Sequence, residues 1–229
     1  MVATEGTARR IKTKSVFIVG IAVAAVLAAS LTAYMQSSML AIHEDDSSSL
    51  YNPSNNDANL QKGPPPMPLS GWGPKLQSFD EAKESSGLAT ISLPTRVPSE
   101  VAFDSARVLS SPGDSTSIVT VFYTPKGVTA DDTTTFQDIM SNGGIAIVYA
   151  KESVSPEFDR DKWMEDFVNE APEVRRIVDI NNTPAVVNMG NMDQEITAQV
   201  LFYKGGVQIN LVSLKYTDTD LIEIAKTIT

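Results

Sequence analysis

Cysteine is absent from the 229 residues, and histidine occurs once, at His43. The first absence excludes disulfides, thiolate metal sites and cysteine nucleophiles. The second, with the lone His43 placed close after the apolar span, removes most zinc sites, Ser-His-Asp triads and histidine acid–base schemes. Positive charge is also scarce: 18 basic residues face 28 acidic ones, for a formal net charge of −10. That balance opposes nucleic-acid binding, whose footprint is a basic face. It reads instead as a solubility device or as the complement of a cation-rich or basic partner. No GxSxG, GxGxxG, Walker A or HExxH pattern is present. The paired carboxylates Asp131-Asp132 and Glu44-Asp45-Asp46 fall in predicted loops, where acids are ordinarily solvated. A non-enzyme without a cofactor is expected.

One stretch lacks charge altogether. Ser15 to Met35 runs 21 residues without a charged side chain, which at ~1.5 Å per residue makes a helix of roughly 32 Å, enough to cross a bilayer. Arg9, Arg10, Lys12 and Lys14 precede it, and the first ionisable residues after it are His43, Glu44, Asp45 and Asp46. The basic flank predicts a cytoplasmic N-terminus and a C-terminal domain outside, in a single-pass cell-membrane protein whose first partner is the lipid bilayer. A cleavable signal peptide is the competing reading, because small residues follow a basic start. Both readings export the domain. Gly20, Ala24 and Ala28 recur at every fourth position, the spacing at which two membrane helices pack closely. The alternative is a lipid-facing stripe.

The expected organisation is a cytoplasmic tail over 1–14, the anchor over 15–36, a Ser/Asn/Pro-rich spacer over 37–76 and a domain over 77–229. The tail carries +3, which leaves −13 of the −10 total for everything that follows. Pro64, Pro65, Pro66 and Pro68 make the end of the spacer extended and partly polyproline. Trp72 is expected to dock that end onto the domain. About 150 residues suit one domain with its own core.

Within the domain, Ser78 and Glu81 predict a capped helix that stops at Gly87. Pro94 and Pro98 keep Ile91 to Val101 extended. Arg107 to Ser110 and Thr116 to Thr124 read as a hairpin around Ser111-Pro112-Gly113-Asp114. A short helix over Thr135 to Met140 and a strand over Gly144 to Lys151 follow. Phe158, Trp163, Met164, Phe167 and Val168 recur at helical spacing and are expected in the core, with Pro172 ending that helix. Val174 to Ile180 and Pro184 to Val187 read as strands. Gly205-Gly206 predicts a two-residue hairpin that pairs Phe202 with Ile209 and Val200 with Leu211 on a core face. Tyr203–Gln208 and Leu201–Asn210 then share a face that is at least half wet. A last helix starts at Thr217. The expected class is α+β: a mainly antiparallel curved sheet with helices packed on one face, plus the N-terminal transmembrane helix.

Three groups are candidate sites. Asn181-Asn182-Thr183 is a glycosylation sequon that doubles as a turn. Asn191, Asp193 and Glu195 present oxygens to a Ca²⁺ ion or form a polar turn entering a strand. Leu201, Tyr203 and Val212 mark the second sheet face as an interaction surface.

The segments SFDEAKESSGLATISLPTRVPSEV, VDINNTPAVV, VLFYKGGVQINLVSL and DLIEIAKTI are similar to the DUF4367 family of exported, membrane-tethered domains. Its members resemble the curved-sheet fold of the lipoprotein-sorting and RseB-type sigma-regulatory proteins. The resemblance covers Ser78 to Thr229 and implies sensing, binding or assembly outside the membrane, with no catalytic residues. The expected function is therefore a membrane-anchored, extracytoplasmic, non-catalytic binding or sensory module with a membrane or extracytoplasmic protein partner. The alternative is an accessory subunit of a membrane complex.

Overall fold

The computed structural model describes residues 67–110, 117–151, 158–194 and 196–229. The tail, the apolar span with Gly20, Ala24 and Ala28, His43, the spacer up to residue 66 and Glu195 lie outside the described residues. So do residues 111–116, where the turn at Ser111-Pro112-Gly113-Asp114 is expected, and residues 152–157.

Eight antiparallel strands form one sheet in the order β1-β2-β3-β4-β8-β7-β6-β5. They are β1 (Lys75–Leu76), β2 (Val101–Ser110), β3 (Ser117–Pro125), β4 (Ile145–Lys151), β5 (Arg175–Ile180), β6 (Thr183–Asn188), β7 (Ala198–Lys204) and β8 (Val207–Ser213). β3 and β4 lie inside the sheet and are buried on both faces over most of their length, with the buried Thr120 and Thr124 as the polar exceptions. β7 alternates strictly between buried and half-exposed positions, and β8 does so over its first half. Gly205 and Gly206 turn between them with φ of 58° and 76°, the left-handed pair that a tight hairpin requires. The register is the expected one, with Lys204 opposite Val207, Phe202 opposite Ile209 and Val200 opposite Leu211.

The first face carries the main core, which includes Val121, Ile147, Leu211, Val200 and Phe202. Helices α1 (Phe79–Ser86) and α4 (Asp218–Ala225) cover it, burying Ala82, Leu221, Ile224 and Ala225. Each helix begins where its cap dictates. Ser78 Oγ accepts from the Glu81 N–H at 3.2 Å, and Gly87 closes α1 with φ 68°. Thr217 and Asp220 cap α4 reciprocally.

The helices do not all lie on one face, contrary to the sequence reading. Helix α2 (Phe136–Ser141) and a 3₁₀ turn (Leu69–Trp72) pack on the opposite side, where the Trp72 ring stacks on Phe136 at 5.4 Å and meets Phe122 edge-on at 6.2 Å. Helix α3 (Arg160–Asn169) lies on the same side, with the Arg160 guanidinium 4.5 Å from the centre of the Tyr203 ring. The reason is that Phe122, Ala146, Val186 and Val212, all facing that side, are apolar and need a cover of their own. In α3 only Met164 is fully buried; Trp163, Phe167 and Val168 are half-exposed and Phe158 is exposed. The aromatic stripe is thus a cluster at the domain surface and not the core segment expected from its spacing.

The folded unit also starts before Ser78. Leu69 is fully buried, and Gly73 passes so close to β2 that a Cβ there would sit 2.1 Å from the Val108 carbonyl oxygen. Arg107, 1% exposed, holds this strap. One of its terminal nitrogens donates to the carbonyls of Leu69 and Gly73 at 2.9 and 3.0 Å, and the other to the Asp132 carboxylate at 2.8 Å. Strand β2 itself was hard to delimit in sequence because a bulge at Asp104 breaks its alternation. The nearly buried Asp104 carboxylate accepts from the Ala130 N–H at 3.1 Å and pairs with Lys75 at 3.4 Å.

Truncating Arg107 to Ala is expected to lower unfolding free energy by about 2–4 kcal/mol, from a cavity plus two orphaned carbonyls. Asp132→Asn, whose side chain is 70% exposed, should cost less than about 1 kcal/mol. Urea titration of both variants checks the contrast.

Candidate functional site

Strand register places one row of residues straight across the second face. It runs Lys75, Arg107, Thr120, Val148, Asn210, Leu201, Val186, Ile177, each directly opposite the next. Arg107 closes one side of the row beneath the Trp72–Phe136–Phe122 cluster. The other side is flanked by α3, where Trp163 stacks on Phe167 at 5.5 Å and the Arg175 guanidinium lies 3.9 Å over the Phe167 ring. Between the two aromatic clusters the floor consists of Val148, Asn210 and Leu201, all half-buried.

Two of the three residues proposed for an interaction face belong to this region. Leu201 is in the row and Tyr203 is two positions along the same strand, half-buried beneath Arg160. Val212 faces the same side but is fully buried, so it supports the floor and offers no surface. Sequence reasoning missed the polar group in the middle. The Asn210 side-chain carbonyl oxygen is buried and has no hydrogen-bond partner. Such an atom lies well outside the usual pattern of satisfied buried acceptors. The signal available was an Asn flanked by Ile209 and Leu211 and paired with Leu201.

A second concavity of about 340 Å³ opens beside α2, floored by Thr124 and Ile139 and rimmed by Asp131, Thr134, Asp138 and Asn142. Its acids already serve the backbone. Asp131 accepts from the hydroxyl and N–H of Thr133 at 2.7 and 2.9 Å and from those of Thr134 at 3.1 and 2.9 Å. These bonds, the Thr133 hydroxyl foremost, hold its carboxyl down at about 2. Asp138 closes the Thr135 capping box and is likewise lowered by the Thr135 hydroxyl and N–H. Carboxylates this weakly basic are poor proton acceptors near neutral pH.

Among the described residues no three His, Cys, Asp or Glu side chains converge on a point. Asn191 Oδ1 accepts from the Gln194 N–H at 3.2 Å, which makes it a turn cap, and Asp193 is exposed. The sequon also forms a turn. Asn181 and Asn182 both adopt positive φ, 53° and 65°, between β5 and β6. The exposed Asn181 donates one amide hydrogen of Nδ2 to the Lys226 carbonyl at 2.7 Å, at the end of α4. The second amide hydrogen is left for a glycosidic bond.

Comparison with known protein families, with curated proteins and with solved structures finds no match to this chain.

Two outcomes follow from these geometries. Carbon-detected NMR titration should find the Asp131 midpoint near 2, and Thr133→Ala should raise it. The native value lies below the unfolded one of about 3.9. The stabilisation is therefore complete above the unfolded value and is lost as pH falls through the native one. For the sequon, exported full-length chain from a host that glycosylates should show a mass increment that Thr183→Ala abolishes; an unmodified intact mass would remove the site.

Proposed function

We propose that this chain is a membrane-anchored, extracytoplasmic binding or sensory module that receives its ligand or protein partner on the second sheet face, around Leu201, Tyr203 and Asn210. The observation that carries the reading is the buried, unpartnered Asn210 carbonyl oxygen set between Val148 and Leu201. A hydrogen-bond donor from outside the chain would satisfy it, and half-buried apolar neighbours would gain contact area at the same time. The uncharged run Ser15–Met35 after four basic residues supports the anchor and the outward orientation. The likeness to DUF4367 domains belongs to the same proposal. It is supported by a capped helix, a Gly-Gly hairpin and a final capped helix at the positions of the similar segments.

An accessory-subunit role is the second reading. The four-residue spacing of Gly20, Ala24 and Ala28 favours it, since it suits packing against another membrane helix.

Purification of the full chain from its native membranes in mild detergent, followed by mass spectrometry, tests both. A partner or small apolar ligand should co-purify with the parent chain. Leu201→Asp should weaken its retention at least about tenfold, roughly 1.4 kcal/mol, with an unchanged melting temperature. A stoichiometric membrane partner that survives Leu201→Asp and is lost on Gly20→Leu would establish the subunit reading in its place.

A further inference from the structure

The two edges of the sheet are built differently. At one edge β1 is only two residues long, follows Pro74 and carries Lys75, all devices that discourage another strand from adding on. At the other edge β5 spans six residues with no proline and no bulge, and Ile177 on it is 44% exposed.

The phase of the β5–β6 ladder fixes which backbone groups face outward. Ile180 and Thr183 flank the two-residue turn as a directly opposed pair, and the Met189 N–H donates to the Val174 carbonyl at 2.8 Å. Residues 174, 176, 178 and 180 therefore bond to β6, whereas Arg175, Ile177 and Asp179 turn their backbone groups away from it. The Arg175 N–H confirms the phase, since it leaves the sheet to donate to the Ala171 carbonyl at 2.9 Å. Among the described residues no strand or loop takes up the outward N–H and C=O of Ile177 and Asp179.

We infer that β5 is a homodimerisation edge, at which a second copy of this chain adds its own β5 antiparallel about a two-fold axis at Ile177. Such an axis must relate residues that share a face and both turn outward. A centre at Arg176 or Val178 fails because their backbone groups already serve β6. A centre at Asp179 sets two carboxylates against each other. Centring on Ile177 places Ile177 against its twin and Arg175 against the Asp179 of the second copy, twice over. The ladder then gains two bonds between the Ile177 residues and two from the Asp179 N–H groups to the Arg175 carbonyls. The register is charge-complementary at both ends and apolar in the middle. Arg175 keeps its bond to the Phe167 carbonyl and its ion pair with Glu170 at 3.1 Å, and Asp179 its bond to the Asn182 N–H, so both side chains are already held on this edge, and the Asp179 of the second copy joins Arg175 as a second carboxylate.

The absence of cysteine makes the test direct. Full-length Ile177→Cys chain in mild detergent is treated with a short bismaleimide, beside Val128→Cys, a control exposed by 47% on the loop after β3. The axis would hold two Cα atoms about 5.5 Å apart. Crosslinked dimer should form at least about tenfold more in Ile177→Cys than in the control, where thiols meet only by diffusion. Ile177→Lys sets like charges on the axis and leaves the β6 ladder intact. It should halve the sedimenting mass of the domain-mediated dimer, with the melting temperature preserved. Equal crosslinking of the two cysteine variants, no crosslink at Ile177→Cys, or a crosslink to a different protein would overturn the inference. So would a dimer that Ile177→Lys leaves unchanged.

Discussion

A guanidinium group taken out of water is tolerated where fixed acceptors take up its hydrogens, and Arg107 meets two backbone carbonyls and one carboxylate at its two terminal nitrogens, with Nε alone left without a partner. The dependence runs both ways. Leu69 and Gly73 bring carbonyls into a region where water does not reach, so the strap between them can dock only where a forked donor waits. The docked strap in turn places the Trp72 ring against Phe136 and Phe122, and that stack covers the β3 side of the second face. Lysine could not take the position, since one ammonium group cannot copy the planar fork that reaches three acceptors along two directions.

A similar logic recurs in the acidic residues. Asp104, Asp131, Asp138, Asp159, Asp179 and Asp220 each accept a bond from a backbone N–H at a bulge, turn or helix start. These six of the 28 acidic residues are therefore placed where chain direction changes and amide hydrogens would otherwise be orphaned. Helix N-termini also favour such charge electrostatically.

What was legible in the sequence was local. The Gly205-Gly206 register, the caps at Ser78 and Thr217 and the Asn181-Asn182 turn each depend on a few neighbouring residues, and each lies where the spacing put it. What escaped was non-local. Nothing near Arg107 in sequence announces that Leu69 and Asp132, 38 and 25 residues away, will converge on it. The second layer of helices escaped for the same reason, because Phe122 reveals its need for cover only once β3 is known to be central. Of the candidate site, alternation along β7 correctly put Leu201 and Tyr203 on one face. The buried Asn210 carbonyl could not be read, since its desolvation is set by tertiary packing and not by the strand it sits in.

The strap has a mechanical consequence. A pull applied at Met67 does not reach the sheet by unzipping the two-residue β1 strand alone. It is shared by the Arg107 fork, which is rooted in the middle of β2, and by the Leu69 N–H bond to the Thr134 carbonyl at 2.8 Å. Load entering there spreads laterally into the longest strand pair of the fold, so the domain answers tension on its leading segment as a stiff body instead of fraying from its first residue.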